Sequence, residues 1–419
     1  MKKFFAIMLI AVMLASISGV RLSYAGEIDL LLQKLVEKGV LTPGEAQQIG
    51  TETKEQVKKE IAEGKYSSLP SWAQNIKLKG DFRLRFQSLH EKNTRDIGKD
   101  TTIGRIRVRL GLEGKVNDKL KVGVGIATGS GDPRSTNITL GGSQAKKTVI
   151  LDYAYAKYDH RPWLSLAGGK MLLSDVLWEP TDLIWDTDIT PEGASIGLQK
   201  ALGPDTSVFL KTGPLVIVED TSTISGAMAY LAQPGITHNF SSNLSLKAAL
   251  TYAYFQMKDS VASSYSKGQN TKNGTSYRYN YSILNPALEF SLKEPFKAVG
   301  LNVESLKLFG EYVNNLQVAK KNTGLSAGLQ FGNAKVEKWG DWQFRYVYAM
   351  LEKDSVLDIL PDSDRYSGKT GMRSHEASIN FGLAKNTSIG VDVYRSWNIV
   401  GTATKAPETL VQVDWNMKF

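Results

Sequence analysis

The chain has 419 residues, a formal net charge of +9, 38 Gly, 17 Tyr and no Cys. The lack of Cys excludes a disulfide scaffold, a cysteine-ligated zinc or iron–sulfur site and a thiol nucleophile. After residue 25 the sequence has no apolar, uncharged run of about 18 to 20 residues, which argues against a helical membrane protein. Its composition favours one large all-β unit over several soluble domains.

Residues 1–25 predict a signal peptide and therefore export. The basic pair Lys2 and Lys3 precedes a short apolar stretch, and Ser23 and Ala25 are small residues at the two positions that a signal peptidase reads. Cleavage after Ala25 removes three basic residues and no acidic one, so the formal net charge falls from +9 to +6. This net charge is small for the length of the chain, and the sequence contains no long run of basic residues. We therefore expect no nucleic-acid partner.

Residues 26–70 predict a helical periplasmic segment followed by a linker. Apolar residues recur at helical spacing from Ile28 to Val36, and Gly39 can end that helix. The run Thr42-Pro43-Gly44-Glu45 has the pattern of an N-cap, an N1 proline and a capping-box acid at the start of a second helix. Two interpretations stay open: a helical hairpin, or a short coiled coil that oligomerises or plugs a channel.

From Asn75 onward the hydrophobic period is two, which predicts β-strands with one apolar and one polar face. The polar face of the first three strands is strongly basic. Its basic residues are Lys77, Lys79, Arg83, Arg85, Arg105, Arg107, Arg109, Lys119 and Lys121. A soluble sandwich would show the same alternation, but strands of about 10 to 13 residues fit a membrane-spanning strand, which needs about 9 to 11.

We predict about sixteen strands over residues 71–419, an even number that is typical of bacterial outer-membrane barrels. After the first three, they are expected near residues 149–158, 163–171, 193–200, 206–213, 226–233, 243–255, 282–292, 303–313, 322–332, 340–351, 373–384, 387–397 and 407–419. Short turns, one of them from Pro234 to Asn239, are expected to alternate with long polar loops. The long loops are at 129–148, 172–192, 256–281 and 352–372.

The last predicted strand alternates regularly and ends on Phe419. This ending resembles that of outer-membrane porins, in which the terminal aromatic residue is the signal for the barrel-insertion machinery. Over residues 75–419 the pattern resembles porins, and the helical segment resembles a subgroup of them from Gram-negative bacteria. The resemblance implies the bacterial outer membrane as the location, with its lipid and the insertion machinery as partners, and a homotrimer.

The basic face is expected to line the inside of the barrel. A Lys or Arg pointing into lipid near the bilayer midplane costs about 2 to 4 kcal/mol, and folding leaves too little free energy to cover several of them. A barrel of sixteen strands has a lumen too wide for side chains to fill, so we expect a water-filled channel for passive diffusion of small hydrophilic solutes and ions. Tyr252, Tyr254, Trp342, Tyr346, Tyr348, Trp397 and Trp415 are candidates for the aromatic girdles.

The loop at 172–192 is a candidate constriction, because it resembles the porin loop that folds into the barrel. Its acidic residues are Asp175, Glu179, Asp182, Asp186 and Asp188, along with Glu192. Acids facing a basic wall would set a transverse field, with a weak overall preference for anions that salt screens and pH does not titrate. The alternatives are wall charges that are merely solvated or paired across strands, and a loop that stays extracellular.

We predict no enzyme, no cofactor and no metal. His90, His160, His238 and His375 have no motif that pairs them with a nucleophile. A calcium site within the acidic loop would not have EF-hand spacing and would be structural. The competing hypotheses are a barrel that anchors or presents the helical segment and, less favoured, a barrel-embedded hydrolase.

Overall fold

The computed structural model describes residues 27–62, 75–92, 98–218, 226–301, 303–400 and 407–419. The predicted signal peptide and the predicted linker, residues 64–70, lie outside the described residues. The chain divides into two units, Met1–Asn75 and Ile76–Phe419.

The described part of the first unit contains two helices, α1 (Glu27–Glu37) and α2 (Pro43–Ala62). Gly39, just beyond α1, has a φ of +70°, a conformation that glycine adopts without steric cost. The N–H of Thr42 donates to the Glu45 carboxylate at 2.8 Å, and the N–H of Glu45 donates to the Thr42 hydroxyl at 3.3 Å, so the predicted capping box begins α2. No helix in the described ranges combines the length and apolar character that crossing a bilayer requires.

The second unit is a closed antiparallel barrel of sixteen long strands, as predicted. The strands are β1 (Ile76–Lys92), β2 (Gly98–Lys115), β3 (Leu120–Thr128), β4 (Val149–Arg161), β5 (Leu164–Lys170), β6 (Glu192–Ala201), β7 (Thr206–Val218), β8 (Ala227–Asn239), β9 (Leu244–Phe255), β10 (Tyr281–Lys293), β11 (Ser305–Asn315), β12 (Thr323–Gly332), β13 (Trp342–Leu351), β14 (Met372–Ala384), β15 (Thr387–Asn398) and β16 (Glu408–Lys418). Each strand pairs with its neighbours in sequence, and β16 pairs with β1 to close the barrel.

Short and long connections alternate around the barrel. One rim carries the turns, such as 116–119, 202–205 and 385–386, and the other carries the long loops 129–148, 171–191, 256–280 and 352–371. We call these the turn rim and the loop rim. Because all the long loops leave from one rim, they can pack on one another and on the wall below them.

The predicted turn from Pro234 to Asn239 is wrong, because β8 continues to Asn239. Pro234 stays in the strand opposite Leu210 of β7, while the pairing with β9 is interrupted between Ala232 and Gly235. A proline has no N–H for a ladder and is tolerated where the ladder is interrupted. The chain therefore turns only at 240–243.

Three loops, 171–191, 256–280 and 352–371, pack against the inner wall from β7 to β14. Their apolar residues form one buried cluster with inward side chains of the strands, including Trp185 against Phe255 with ring centroids 6.2 Å apart. Val176, Leu183 and Ile184 come from 171–191, and Val356 and Leu357 come from 352–371. Loops therefore fill much of the lumen that the strand count alone predicts to be open.

Candidate functional site

Five arginines of β1 and β2 form what we call the arginine wall: Arg83, Arg85, Arg105, Arg107 and Arg109. The register places Arg83 opposite Arg107 and Arg85 opposite Arg105, so the two strands present their guanidinium groups as cross-strand neighbours. Like charges placed directly opposite each other on a sheet are destabilising unless counter-charges intervene. The wall therefore requires acidic partners from elsewhere in the fold.

Aspartates supply most of these partners. Asp81, on the same face of β1, contacts Arg107 at 2.8 Å and Arg109 at 2.7 Å. Asp414 of β16 makes a bidentate contact with Arg85, from Nε at 2.7 Å and from Nη2 at 2.8 Å. A planar guanidinium and a carboxylate suit this paired geometry, which fixes the orientation of the arginine.

Arg83 and Arg105 are held differently. Arg83 donates to the Asn416 side chain at 2.9 Å and lies 3.3 Å from Asp414. Arg105 donates to Gln87 and to the backbone oxygen of Asn137, and its buried Nε has no hydrogen-bond partner in the described ranges. Arg105 is thus the wall arginine without an ion pair among the described residues.

The four lysines that the sequence groups with the wall lie nearer the turn rim. Lys77 and Lys79 are exposed at the start of β1, and Lys119 is exposed in the turn between β2 and β3, outside both strands. Lys121 pairs with Asp159 at 3.0 Å, and both side chains are 34% exposed. Of the four, Lys79 lines the larger cavity described below.

The acidic residues of loop 171–191 contact different partners. Asp175 pairs with Lys157 at 2.6 Å, Asp182 lies 3.2 Å from Arg365, and Asp188 lies 3.2 Å from Arg109 of the wall. Asp186 accepts backbone N–H groups from Asp188 at 2.9 Å and Ser363 at 2.8 Å.

Burial sets the acidity of two carboxyls in this loop. Burial, with Asp188 nearby, raises the pKa of Asp186 well above its usual range. Burial also raises the pKa of Glu179, whose two carboxylate oxygens have no hydrogen-bond partner among the residues that the structure describes, and Glu311 adds to this effect. These two groups therefore hold protons at a higher pH than exposed carboxyls do.

Loop 171–191 is fastened to the wall opposite the arginines. The side chain of Gln233 accepts from the N–H of Trp178 at 2.7 Å and donates to its carbonyl oxygen at 2.7 Å. Ser195 donates to the carbonyl oxygen of Asp175 at 2.7 Å, and the hydroxyl of Thr181 donates to Glu311. These anchors span β6 to β11, so the loop crosses the interior and its later residues reach the arginine wall.

Loop 352–371 supplies charged residues that the sequence reasoning missed. Asp364 contacts Arg85 at 3.0 Å, and the buried Arg365 contacts Glu376 at 2.6 Å. Arg134, from the loop 129–148, is 1% exposed and donates to the backbone oxygens of Asp358 and Gly368. The concentration of aspartates in 352–371 was the available signal, but nothing in a loop sequence shows which wall it contacts.

Within the described ranges, one group of carboxylates has the spacing to hold a metal ion. Asp182, Asp362 and Glu376 can each bring one oxygen within 4.8 Å of the others. The guanidinium of Arg365 lies 2.6 to 3.7 Å from all three carboxylates. This arginine supplies the local positive charge, so the group is a buried ion network of the protein's own residues.

Two cavities meet beside the arginine wall. The larger, of about 1160 Å³, extends from the turn rim and includes Lys79, Asp81 and Lys418 in its lining. The smaller, of about 390 Å³, lies toward the loop rim and includes Arg134 and Asp364. Both are lined by what we call the junction, which consists of Arg83, Arg107, Arg109, Thr187 and Asp188.

The four histidines lie away from the junction. In the described part of the chain their side-chain hydrogen bonds go to Asp100, Tyr158, Thr206 and Tyr346. None of these described partners is a serine.

Phe419, the predicted terminal signal, closes the barrel at the turn rim. Its N–H donates to the carbonyl oxygen of Gly80 at 3.0 Å, and the N–H of Gly80 donates back at 2.8 Å. A Cβ at position 80 would collide with the Phe419 ring, so glycine at this position leaves room for the ring.

Comparison with known proteins identifies a family. A family model described as "Putative porin" matches residues 88–289 and 294–419. No curated protein matches the chain.

Among solved structures, outer-membrane channels and porins are similar to this chain at low sequence identity. The DcaP channel of Acinetobacter baumannii has 13% identity and a TM-score of 0.45, covering 82% of this chain and 97% of its own. A mutant porin of Rhodopseudomonas blastica has 12% identity and a TM-score of 0.45, with 82% and 100% covered. A loop-deletion mutant of OmpT from Vibrio cholerae has 10% identity and a TM-score of 0.48, with 82% and 99% covered.

Proposed function

Because this chain belongs to the porin family whose model it matches and is a channel of the bacterial outer membrane, we propose that small hydrophilic solutes and ions diffuse passively through it, with a weak preference for anions. The narrow part of the path is the junction, which three arginines of the wall and residues 187–188 of the loop line together. The proposal assigns the protein no enzymatic activity.

The charge of the junction carries this proposal. Three arginines and one aspartate belong to the lining that both cavities share. A narrow, low-dielectric passage focuses the field of its lining charges, so an excess of guanidinium groups raises the local concentration of anions. Asp81 and Asp414 neutralise part of this excess, which is why the preference is weak.

Residues outside the junction complete the proposal. We propose that residues 1–25 are a cleaved signal peptide, that residues 26–70 lie in the periplasm, and that the barrel starts at about residue 71. Phe419 would be read by the barrel-insertion machinery, and three copies would form a homotrimer. These assignments are supported by the export pattern of the sequence and by family membership.

The reversal potential of the purified protein in a planar bilayer under a KCl gradient tests the charge preference. Arg109→Gln removes a junction cation and should shift the reversal potential toward cation preference. Asp188→Asn removes the junction acid and should shift it in the opposite direction. Shifts of opposite sign follow because the two residues carry opposite charges and both line the junction, where their side chains are in contact at 3.2 Å.

Lys121→Gln is the matched control. Like Arg109, Lys121 is a cation that is 34% exposed and paired with an aspartate, but it does not line the junction. The control should leave the reversal potential unchanged. Equal shifts from Arg109→Gln and Lys121→Gln would mean that the net charge of the barrel, and not the junction, sets the preference. No conductance from the folded protein would rule out the open channel.

A further inference from the structure

The outer face of the barrel carries a basic and aromatic patch that channel function does not use. Outward positions along β14 and β15 are mostly apolar, with Ile379 49% exposed and Val393 36% exposed. Toward the loop rim the same face changes from apolar to basic, because Arg373, His375 and Arg395 are exposed there. Their sequence neighbours Ser374, Glu376 and Ser396 are buried, since these point into the barrel.

The patch is built on one cross-strand block. Arg373 lies directly opposite Trp397, and His375 lies directly opposite Arg395. The two guanidinium groups lie over the same indole, 5.5 and 5.6 Å from the centroid of Trp397. Arginine stacked on an aromatic face is held in place while its N–H groups stay free to donate.

Aromatic groups of β13 and β14 support the patch from one side. The ring of His375 meets Trp397 edge to face at 5.7 Å and lies 5.2 Å from the ring of Tyr348. The hydroxyl of Tyr346 and Nδ1 of His375 are hydrogen-bonded at 2.5 Å. The side chains that position the arginines are therefore themselves fixed by contacts with their neighbours.

The two arginines have no acidic partner in the part of the chain that the structure describes. The segment that follows β15, residues 401–406, contains one Lys and no Asp or Glu in its sequence. This contrasts with the arginine wall, where Asp81, Asp188, Asp364 and Asp414 contact the guanidinium groups. Two exposed arginines that share one indole without a counter-ion form a site that is complementary to an anion.

The position of the patch identifies the kind of anion. In outer-membrane barrels the long loops are extracellular, so Arg373 and Arg395, both within four residues of the loop-rim ends of their strands, lie at the outer membrane–water boundary. The apolar surface of Ile379 and Val393 continues below them, toward the bilayer interior. A molecule with a charged head and hydrocarbon tails fits both parts of this surface.

We propose that Arg373 and Arg395, stacked on Trp397, bind a phosphate group of a lipid headgroup in the outer leaflet. The planar guanidinium groups donate to the phosphate oxygens, Trp397 and Tyr348 lie at the headgroup level, and the acyl chains lie along the apolar face below. The site is separate from the channel and does not depend on its selectivity.

Native mass spectrometry of the full-length protein in phosphatidylcholine nanodiscs tests the proposal. The nanodiscs contain a bisphosphorylated acylated glucosamine disaccharide as the probe, and its dephosphorylated form as the comparison. The wild-type protein should retain the phosphorylated lipid selectively. The double variant Arg373→Gln/Arg395→Gln should bind the phosphorylated lipid at least about tenfold more weakly than the wild type. The reason is that each basic residue near an anionic lipid surface contributes substantially to binding.

Two controls make the result decisive. Arg161→Gln/Arg278→Gln removes the same number of arginines from exposed positions outside the patch and should bind like the wild type. Unchanged single-channel conductance of the patch variant should show that its barrel is intact. Equal retention by both double variants would overturn the proposal. Displacement of the lipid by a comparable concentration of inorganic phosphate would overturn the lipid as the source of the anion.

Discussion

The arginines of the wall are held by aspartates whose exposure differs widely from pair to pair. Arg85 and Asp414 are each 4% exposed, whereas Arg109 is 34% exposed in its contacts with Asp81 and Asp188. In a buried pair, removing one partner leaves the other charged and poorly solvated. The buried pairs are therefore structural, while the more exposed ones are free to act on passing ions.

Replacing Asp414 with alanine should strongly destabilise the barrel. Arg85 would keep only Asp364, so we expect a loss of about 3 to 5 kcal/mol in the free energy of unfolding, which is typical of a broken buried ion pair. Denaturant titration of the protein folded into lipid vesicles measures this change. Asp159→Ala breaks the pair with the half-exposed Lys121 and should cost about 0 to 1 kcal/mol. Similar losses in both variants would contradict this assignment.

The strands were predictable from sequence where one face is apolar, and less so beyond that region. On the second strand the predicted polar face starts at Arg105, but β2 begins at Gly98. Its first residues, including Asp100, Thr101 and Thr102, pair with β1 without an apolar face to mark them. Backbone pairing between β1 and β2 continues toward the loop rim, beyond the residues with an apolar face, because backbone hydrogen bonds need no hydrophobic side chains.

The path of the loops could not be predicted in the same way. The acidic character of 171–191 was evident from the sequence, but its anchors, such as Ser195, Gln233 and Glu311, are 20 to 130 positions away from the loop residues that they bind. A loop has no periodic pattern that reports its contacts. Which acid meets which arginine is decided by this anchoring.

Gln233 should control the order of the loop as a whole. Gln233→Leu leaves the N–H and carbonyl of Trp178 without their partner, and each buried unpaired group costs about 1 to 3 kcal/mol. We expect lower thermal stability and noisier single-channel currents, because the segment across the lumen loses its attachment to β8. Gln199→Leu, at an exposed position, is the control and should change neither. Quiet, wild-type currents from Gln233→Leu would show that the remaining anchors suffice.

For the channel as a whole, pH should alter selectivity. The sequence predicted a preference that salt screens and pH does not titrate, but burial raises the pKa of Asp186 and Glu179. As the pH falls, these groups gain protons before exposed carboxyls do, so the loop loses negative charge and anion preference should increase. As the pH rises through their raised pKa values, the preference should weaken.

Reversal potentials measured over a pH series check this expectation. The double variant Asp186→Asn/Glu179→Gln keeps the loop neutral at these positions and should flatten the pH dependence. At about 1 M salt the Debye length is only about 3 Å, so the whole effect should shrink. A pH profile that is identical in the wild type and the variant would assign the titration to other groups.

The closure of the barrel also has a consequence for how the chain matures. Arg83 of β1 and Asn416 of β16 are 333 positions apart and hydrogen-bonded, so the last strand completes the sheet. Contacts of such long sequence separation form slowly. Until they form, β1 and the newest strand present open edges, which are templates for aggregation. The chain therefore needs protection from aggregation during its whole transit to the membrane. A chain that lacks β16 would keep two unpaired strand edges permanently.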